Sequence, residues 1–236
     1  MSLTIACYIP TAIILSAESR STSTYTNSIV DESDFEKYID YTMTYIASDF
    51  ENKVFLSLNK FGITVCGNGL IENFPIQYHI ENFELCSNFK EDVSVFDFSI
   101  KLKDYFRKFN PIPFVFFFIG GYEINEQFVY RINVAEDEVI RLNFNEVQSS
   151  YNYSISYEGV TEIVERITTS IPDSLTEFRF FNIQDGVDYS RHLISTTINQ
   201  MKFENQFPTV GGEIDTLIIT RNGAEFLSKK KVRIND

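Results

Sequence analysis

The chain has 236 residues, of which 44% are apolar and 15% aromatic, with 23 Phe, 13 Tyr and no Trp. This composition predicts a globular protein with a sizeable aromatic core. The formal charge of −13 argues against a nucleic-acid-binding surface, because such a surface is basic. No apolar run approaches the roughly 20 residues of a membrane span, and the first residues lack the charged and long apolar regions of a signal peptide.

The first twenty residues predict two buried strands joined by a tight turn. Apolar runs over residues 3–9 and 12–17 are separated by Pro10-Thr11, and the triplet Glu18-Ser19-Arg20 closes the second run. Short apolar runs interrupted by a turn signal are typical of buried strand pairs.

A small hydroxyl residue, Ser2, directly follows Met1. Removal of the methionine would therefore leave a hydroxyl and a free α-amine on the same residue. The amine titrates near ~8, so it can act as the base for its own hydroxyl, as in N-terminal nucleophilic catalysis.

This segment resembles the opening of proteasome β subunits, which are N-terminal nucleophile (Ntn) hydrolases. Their mature chain starts at a Thr, runs through a hairpin and reaches a strand that ends in Ala-Asp-Ser-Arg. Aligned without gaps, Ala17-Glu18-Ser19-Arg20 takes the closing motif and Ser2 takes the place of the nucleophile. Ser thus replaces Thr, and Glu18 replaces Asp. Thr4 is a rival nucleophile, but it requires a two-residue deletion in the hairpin and the removal of three residues. The alternative interpretation is a buried first strand without a catalytic role.

Lys53 and Gly67 extend the resemblance. In the family, the strand after the first loop begins with an essential Lys, and a Gly that gives a backbone N–H to the oxyanion hole lies fourteen residues later, the separation of Lys53 and Gly67. The resemblance implies that Lys53, held by Glu18, lowers the pKa of the Ser2 hydroxyl as a nearby cation, and that Gly67 stabilises the oxyanion. Alternatively, Lys53 and Glu18 form a partly buried salt bridge between adjacent strands.

The rest of the chain predicts blocks of strands that alternate with pairs of helices. The polar segment 21–49 predicts a long surface loop with one helical turn at 35–41. Further strands are predicted at 53–58, 61–66, 114–119 (ended by Gly120-Gly121), 128–132, 138–144, 151–157, 214–220 and 224–227, and helices at 71–86, 93–106, 160–170 (stopped by Ile171-Pro172) and 185–203. We therefore expect a single α+β domain over residues 1–236, with a polar loop insertion at about 21–50. The resemblance makes it a four-layer αββα sandwich.

Other parts of the family's site have no clear counterpart. The family's Ser in a Gly-Ser-Gly turn falls near Glu158, and its supporting Asp and Ser fall near residues 205–209, where only Thr209 offers a substitute. The three cysteines, Cys7, Cys66 and Cys86, have unrelated spacings, which predicts reduced, buried thiols. His79 and His192 are predicted to have surface or interface roles.

Two functions are compatible with these residues. The first is a cytoplasmic proteasome-β-like hydrolase that cleaves amide bonds, in particular those of peptides, within a self-assembled homo-oligomeric ring. Its catalytic residues would be Ser2, Glu18, Lys53 and Gly67, with no metal or other cofactor and no nucleic-acid or membrane partner. The second is a catalytically inactive proteasome-like assembly or binding subunit.

Overall fold

The protein is described by a computed structural model covering residues 2–31, 34–170 and 176–230, without the side chains of residues 28–31 and 34–41. The fold is α+β, as the sequence predicts. The strands are β1 (Leu3–Ile9), β2 (Ala12–Glu18), β3 (Ser21–Asp31), β4 (Asp34–Ser48), β5 (Val54–Ser57), β6 (Phe61–Gly67), β7 (Leu70–Ile71), β8 (Phe74–Pro75), β9 (Val115–Glu123), β10 (Glu126–Asn133), β11 (Glu138–Arg141), β12 (Phe144–Asn145), β13 (Ser150–Tyr151), β14 (Ser154–Gly159), β15 (Ile214–Thr220) and β16 (Gly223–Ser228). The α-helices are α1 (Ile76–Ser87), α2 (Val95–Phe106), α3 (Glu162–Thr169) and α4 (Ile183–Gln200).

Two five-stranded antiparallel sheets form the centre of the molecule. The first has the strand order β14-β1-β2-β15-β16, and the second has the order β11-β10-β9-β6-β5. A cluster of buried side chains lies between them, in which Ala6 and Leu15 of the first sheet pack with Phe118 of the second. The chain therefore buries one face of each sheet against the other.

The helices pack on the remaining faces of the sheets. Leu3 and Ile5 of β1 alternate with Ala6 and contact Leu193 of α4 in a separate buried cluster. The period-2 alternation of a strand explains why one apolar run serves two clusters. On the second sheet, the rings of Phe83 in α1 and Phe98 in α2 are 5.3 Å apart in an edge-to-face arrangement, a geometry that adds about 0.5–1.5 kcal/mol to burial.

The segment between β2 and β5 differs from the prediction. The expected loop with a helical turn is instead the β3–β4 ribbon, a two-stranded sheet. Thr24 pairs with Thr44 and Thr26 with Thr42, with hydroxyl–hydroxyl distances of 3.3 and 3.4 Å. β-Branched side chains favour strands, and such cross-strand pairs stabilise them.

Other boundaries also differ. Gly120 and Gly121 continue β9 rather than ending it. Residues 71–75, predicted as helix, belong to the β7–β8 hairpin, and α1 begins only at Ile76. The predicted helix stop at Ile171-Pro172 lies outside the described residues. None of the helices in the described part combines the length and the apolar character needed to cross a bilayer.

Candidate active site

The ends of several strands meet at one edge of the two sheets and border a small cleft. In antiparallel pairs the start of one strand lies beside the end of the next, so β1 and β2 bring Ser2 near Glu18. In the same way, β5 and β6 bring Lys53 near Gly67. Ser2, Lys53 and Gly67 all line this cleft. The topology thus brings together the residues that the sequence spacing selects.

Ser2 is held by its main chain. Its carbonyl oxygen accepts a 2.8 Å hydrogen bond from the Val160 backbone N–H. Gly159 has φ +107°, and a Cβ there would lie 1.7 Å from the Ser2 carbonyl oxygen, so this close approach requires glycine. No described residue hydrogen-bonds the Ser2 hydroxyl. The main chain of Ser2 is therefore fixed, and the residue as a whole is 6% exposed.

The Glu18 carboxylate lies beneath the cleft and accepts from four donors. Oε1 accepts from Lys53 Nζ and from the Leu3 N–H at 3.3 Å. Oε2 accepts from the backbone N–H groups of Arg20 at 2.7 Å and Gly211 at 3.0 Å. Burying a carboxylate is costly unless it is paired and hydrogen-bonded. Glu18 thereby links the start of β1, the end of β2 and the segment before β15.

Lys53 immediately precedes β5 and points its ammonium group into the same cluster. Its Nζ donates to Glu18 Oε1 and to the Arg20 carbonyl oxygen. An ammonium group has three donors, and no other described residue accepts from this one. One N–H therefore has no acceptor among the described residues, and Ser2 and Lys53 line the same cleft. The ion pair joins the two sheets and is almost fully buried, rather than partly buried between adjacent strands.

Gly67 ends β6 in a conformation that favours glycine. Its φ is +115°, and a Cβ there would lie 2.1 Å from the Phe114 carbonyl oxygen. The next residue, Asn68, fixes this turn by donating its backbone N–H to the same carbonyl at 2.9 Å and accepting the Phe114 N–H on its side chain at 2.7 Å. These bonds fix the main chain at the end of β6, where Gly67 and Asn68 line the cleft.

Arg20 and Asp49 support the site from the side of the β3–β4 ribbon. Arg20 Nε and Nη2 donate to the two carboxylate oxygens of Asp49 at 2.6 and 3.0 Å, the bidentate geometry that guanidinium favours. The hydrogen bond to Arg20 lowers the pKa of Asp49 below its usual range. Nearby Glu51, which lines the cleft, has its pKa raised because burial disfavours the charged carboxylate.

Thr4, the rival nucleophile, lies within β1 between Ala17 and Glu158. It is 1% exposed, so its hydroxyl is buried within the sheet. Burial raises the pKa of Cys66 to about 12, so this cleft-lining thiol stays protonated near neutral pH. Cys7 is buried as predicted, whereas Cys86 is exposed, which corrects the prediction that all three thiols are buried.

Glu158 and Thr209, which lie where the family's site has no clear counterpart in this sequence, have different surroundings. Glu158 pairs with Arg131, whose Nη1 also donates to Glu138 at 2.8 Å. Thr209 is 6% exposed, and its hydroxyl has no hydrogen-bond partner among the described residues. The Glu158 carboxylate is therefore paired with the Arg131 guanidinium, whereas the Thr209 hydroxyl has no partner among the described residues.

The sequence did not indicate the roles of Gly211, Asp49 and the Arg20 carbonyl. Gly211 contributes its backbone N–H, which every residue type except proline has. Its residue type therefore did not indicate a role in the site. Asp49 was part of the segment predicted as a loop. The Ser19 N–H donates to the Gly211 carbonyl at 3.1 Å, which places the Gly211 N–H beside Glu18. Such contacts depend on tertiary pairing rather than on local spacing.

Neither histidine lines this cleft. His79 is 3% exposed and its Nε2 is 2.9 Å from the Ile71 carbonyl oxygen, so the predicted surface or interface role is wrong for this residue. His192 is exposed. No group of three or more His, Cys, Asp or Glu side chains arranged to hold a metal ion occurs among the described residues.

Comparison with known proteins provides no family assignment: no family model matches the sequence, and no curated protein is significantly similar to it.

Proposed function

We propose that this chain is an N-terminal nucleophile hydrolase similar to proteasome β subunits, and that it cleaves amide bonds of peptides. The observation that carries the proposal is the buried Lys53–Glu18 ion pair, which lies next to Ser2 in a cleft bordered by Gly67. A cation, a hydroxyl next to the N-terminus and an exposed backbone turn are the three groups that acyl transfer by an N-terminal nucleophile requires.

The proposal includes a four-layer αββα sandwich. Support comes from two sheets that pack face to face, with α1 and α2 against the second sheet and α3 and α4 against the first. The antiparallel pairing of β1 with β2 also agrees with the hairpin expected from the resemblance.

In the proposed reaction, removal of Met1 exposes the α-amine of Ser2, which takes the proton of the Ser2 hydroxyl. The oxygen then bonds to the substrate carbonyl carbon, and the backbone N–H of Gly67 stabilises the oxyanion. The C–N bond breaks as the leaving amine takes the proton from the α-amine. Water, deprotonated by the same amine, releases the acyl group from Ser2. Lys53 stabilises the negative charge that develops on the Ser2 oxygen.

We further propose self-assembly in the cytoplasm. Leu70 and Phe114 are 63% and 59% exposed, and Phe114 bonds to Asn68 at the edge of the cleft. Exposed apolar side chains of this kind favour contact with another protein surface. Three free thiols agree with a reducing compartment. The mass of the untagged protein measured by sedimentation tests the assembly, and a monomer at high concentration would contradict it.

The second candidate is an inactive assembly or binding subunit. It is favoured by Glu158, which pairs with Arg131 where the family has a hydroxyl. It is also favoured by the Glu18 carboxylate, whose contacts with Lys53, Leu3 and Gly211 would stabilise the fold without any catalysis.

Intact-mass spectrometry of the untagged protein, with and without a β-lactone that acylates N-terminal nucleophiles, separates the two candidates. We expect a species that lacks Met1 and gains one acyl group on Ser2. Ser2→Ala should abolish labelling, whereas Ser21→Ala, a hydroxyl that lines the same cleft, should retain it. A protein that lacks Met1 and is never labelled would leave the inactive subunit as the function.

A further inference from the structure

Glu51 is the one acidic residue among the described residues that line the cleft of Ser2. Its backbone N–H donates to the Ser19 carbonyl oxygen at 2.8 Å. Ser2 and Ser19 each lie two residues beyond Thr4 and Ala17, the outermost described pair of β1 and β2 at this end. Glu51 is therefore anchored just beyond the end of β2, beside the start of β1, and borders the same small cleft as Ser2.

The half-buried Glu51 carboxylate has no hydrogen bond or ion pair with a described residue. It interacts with Lys53 and Lys230 through charge alone, and its pKa is raised because the cost of burial exceeds this attraction. Removing a charge from water is costly unless the charge is paired. The described residues therefore leave one anion of the cleft without a cation in contact.

The two lysines near Glu51 are each held by another carboxylate. Lys53 donates to Glu18 and to the Arg20 carbonyl oxygen. Lys230 donates to one carboxylate oxygen of Asp215 through Nζ and to the other through its backbone N–H, the latter at 2.7 Å. Both cations thus have a closer partner than Glu51.

Three further ionisable groups at this edge of the sheets are paired or neutral. Asp49 and Glu158 each form an ion pair with an arginine. Burial raises the pKa of the cleft-lining Cys66 thiol to about 12, so this group carries no charge near pH 7. Glu51 is thus the carboxylate that a new cation in the cleft would meet unpaired.

We propose that Glu51 becomes the counter-ion of the Ser2 α-amine once Met1 is removed, and that it holds this amine beside the Ser2 hydroxyl. The inference rests on the proposed hydrolase function. Until Met1 is removed, the Ser2 nitrogen is an uncharged amide and Glu51 has no such partner. During the reaction the amine takes the proton of the hydroxyl and becomes an ammonium group, which Glu51 stabilises. The aspartate of a Ser-His-Asp triad stabilises its imidazolium in the same way. Glu51 is therefore a positioning residue, and it transfers no proton itself.

The pairing has two consequences for the Ser2 α-amine. A nearby carboxylate favours the charged form of the amine, so it raises the pKa of the amine. Glu51→Gln should therefore leave more of the amine as free base near neutral pH. The same substitution makes the amine a weaker base, so proton transfer at high pH should slow. Because the two effects have opposite signs, they differ from a general loss of structure.

The first test does not depend on hydrolysis. The chain is produced with Ser2 as its first residue by proteolytic removal of an N-terminal fusion partner, and labelling of the α-amine by acetic anhydride is followed against pH by peptide mass spectrometry. Glu51→Gln should move the midpoint of labelling to lower pH, with about 3- to 10-fold more free base at pH 7. Glu177→Gln is the matched control, because exposed Glu177 precedes Phe178, which packs with Ile9 at the other end of β1. Equal midpoints in Glu51→Gln and Glu177→Gln overturn the inference.

The second test measures kcat/KM for a fluorogenic peptide amide between about pH 5 and pH 10, a range that spans the usual α-amine pKa. In Glu51→Gln the acid limb of the profile should move to lower pH, and the plateau at high pH should fall about 3- to 10-fold. Glu51→Asp keeps the charge and should restore the midpoint of the acid limb. An equal loss at every pH overturns the positioning role.

The two tests separate this inference from the proposed hydrolase function. If the labelling midpoint depends on Glu51 but the parent protein cleaves no peptide, the hydrolase function fails and the ion pair between Glu51 and the Ser2 α-amine stands. If the parent protein cleaves the peptide and Glu51→Gln changes neither midpoint, the hydrolase function stands and the role of Glu51 fails.

Discussion

Glu18 and Lys53 connect the two sheets through an ion pair whose side chains are 0% and 5% exposed. Glu18 ends β2 of the first sheet, and Lys53 leads into β5 of the second. Removing two charges from water is expensive, and only good geometry with further hydrogen bonds repays it. The backbone N–H groups of Leu3, Arg20 and Gly211 provide those bonds on the acidic side.

Lys53→Met should destabilise the protein by about 3–5 kcal/mol, because it leaves the Glu18 carboxylate buried without its cation. Adding Glu18→Gln should recover part of this loss, because an amide needs no counter-charge. Denaturant unfolding at pH 7 measures both changes.

The control for this prediction is an ion pair at the surface. Arg166 and Glu204 are 3.4 Å apart, and the Arg166 side chain is 69% exposed. Arg166→Met should cost no more than about 1 kcal/mol. A Lys53→Met variant as stable as the Arg166→Met variant would contradict the importance of the buried pair.

Glu18→Asp should destabilise the protein even though the family that the sequence resembles has Asp in this place. The shorter side chain cannot reach both Lys53 and the Gly211 N–H from the end of β2. Each buried donor that loses its acceptor costs about 1–3 kcal/mol. Thermal or denaturant unfolding measures the change. Equal stability of the variant and the parent protein would mean that the main chain shifts so that the shorter side chain still reaches both Lys53 and the Gly211 N–H.

Local signals in the sequence predicted the central strands, whereas the proximity of Ser2, Glu18, Lys53 and Gly67 was implied by the resemblance to proteasome β subunits. Apolar runs fix β1 and β2, and antiparallel pairing brings the two ends together. The spacing from Lys53 to Gly67 then covers one complete strand pair, so residues separated by fourteen positions border the same cleft.

The β3–β4 ribbon was missed because the described side chains of this separate two-stranded sheet show no alternation of buried and exposed positions. Without burial on one side, Tyr25 and Thr24 are both exposed, and the apolar alternation that reveals a strand is absent. Gly120 and Gly121 were misread for a different reason. A Cβ on Gly120 would lie 2.9 Å from Ile13 Cγ2, and one on Gly121 would lie 2.8 Å from Phe61 Cδ1. These glycines serve close packing on both faces of β9, which local sequence does not distinguish from a turn.

Gly67→Ala should reduce both stability and labelling of Ser2. The new Cβ would meet the Phe114 carbonyl at a positive φ, and such backbone strain costs about 1–3 kcal/mol. If the Gly67 N–H is the oxyanion donor, its displacement should slow β-lactone acylation roughly 10²-fold. Gly69→Ala is the control, since its Cβ would meet nothing within 4 Å. A fully active Gly67→Ala protein would exclude this donor.

Asp49→Asn should destabilise the protein at neutral pH but not in acid. Arg20 lowers the pKa of Asp49 in the folded state, so the ionised form stabilises the fold above the unfolded pKa of about 4. This contribution is lost as the pH falls through the lower, folded pKa. Unfolding curves of the variant and the parent protein should therefore converge at the acid end of a pH series. A constant difference would mean that the effect is not electrostatic.

Glu51→Gln should have the opposite effect. Burial raises the pKa of Glu51 in the folded state, and the opposing attraction of Lys53 and Lys230 is smaller. The folded protein therefore holds a proton that the unfolded chain releases, and stability falls as the pH rises from about 4 through the raised folded pKa. Above that window the variant should be more stable than the parent protein, and below about pH 4 the two should be equal. Denaturant unfolding over this pH range measures the difference. A less stable variant at pH 7 would show that attraction to the two lysines outweighs burial, and that Glu51 belongs with Glu18 as a stabilising anion of the site.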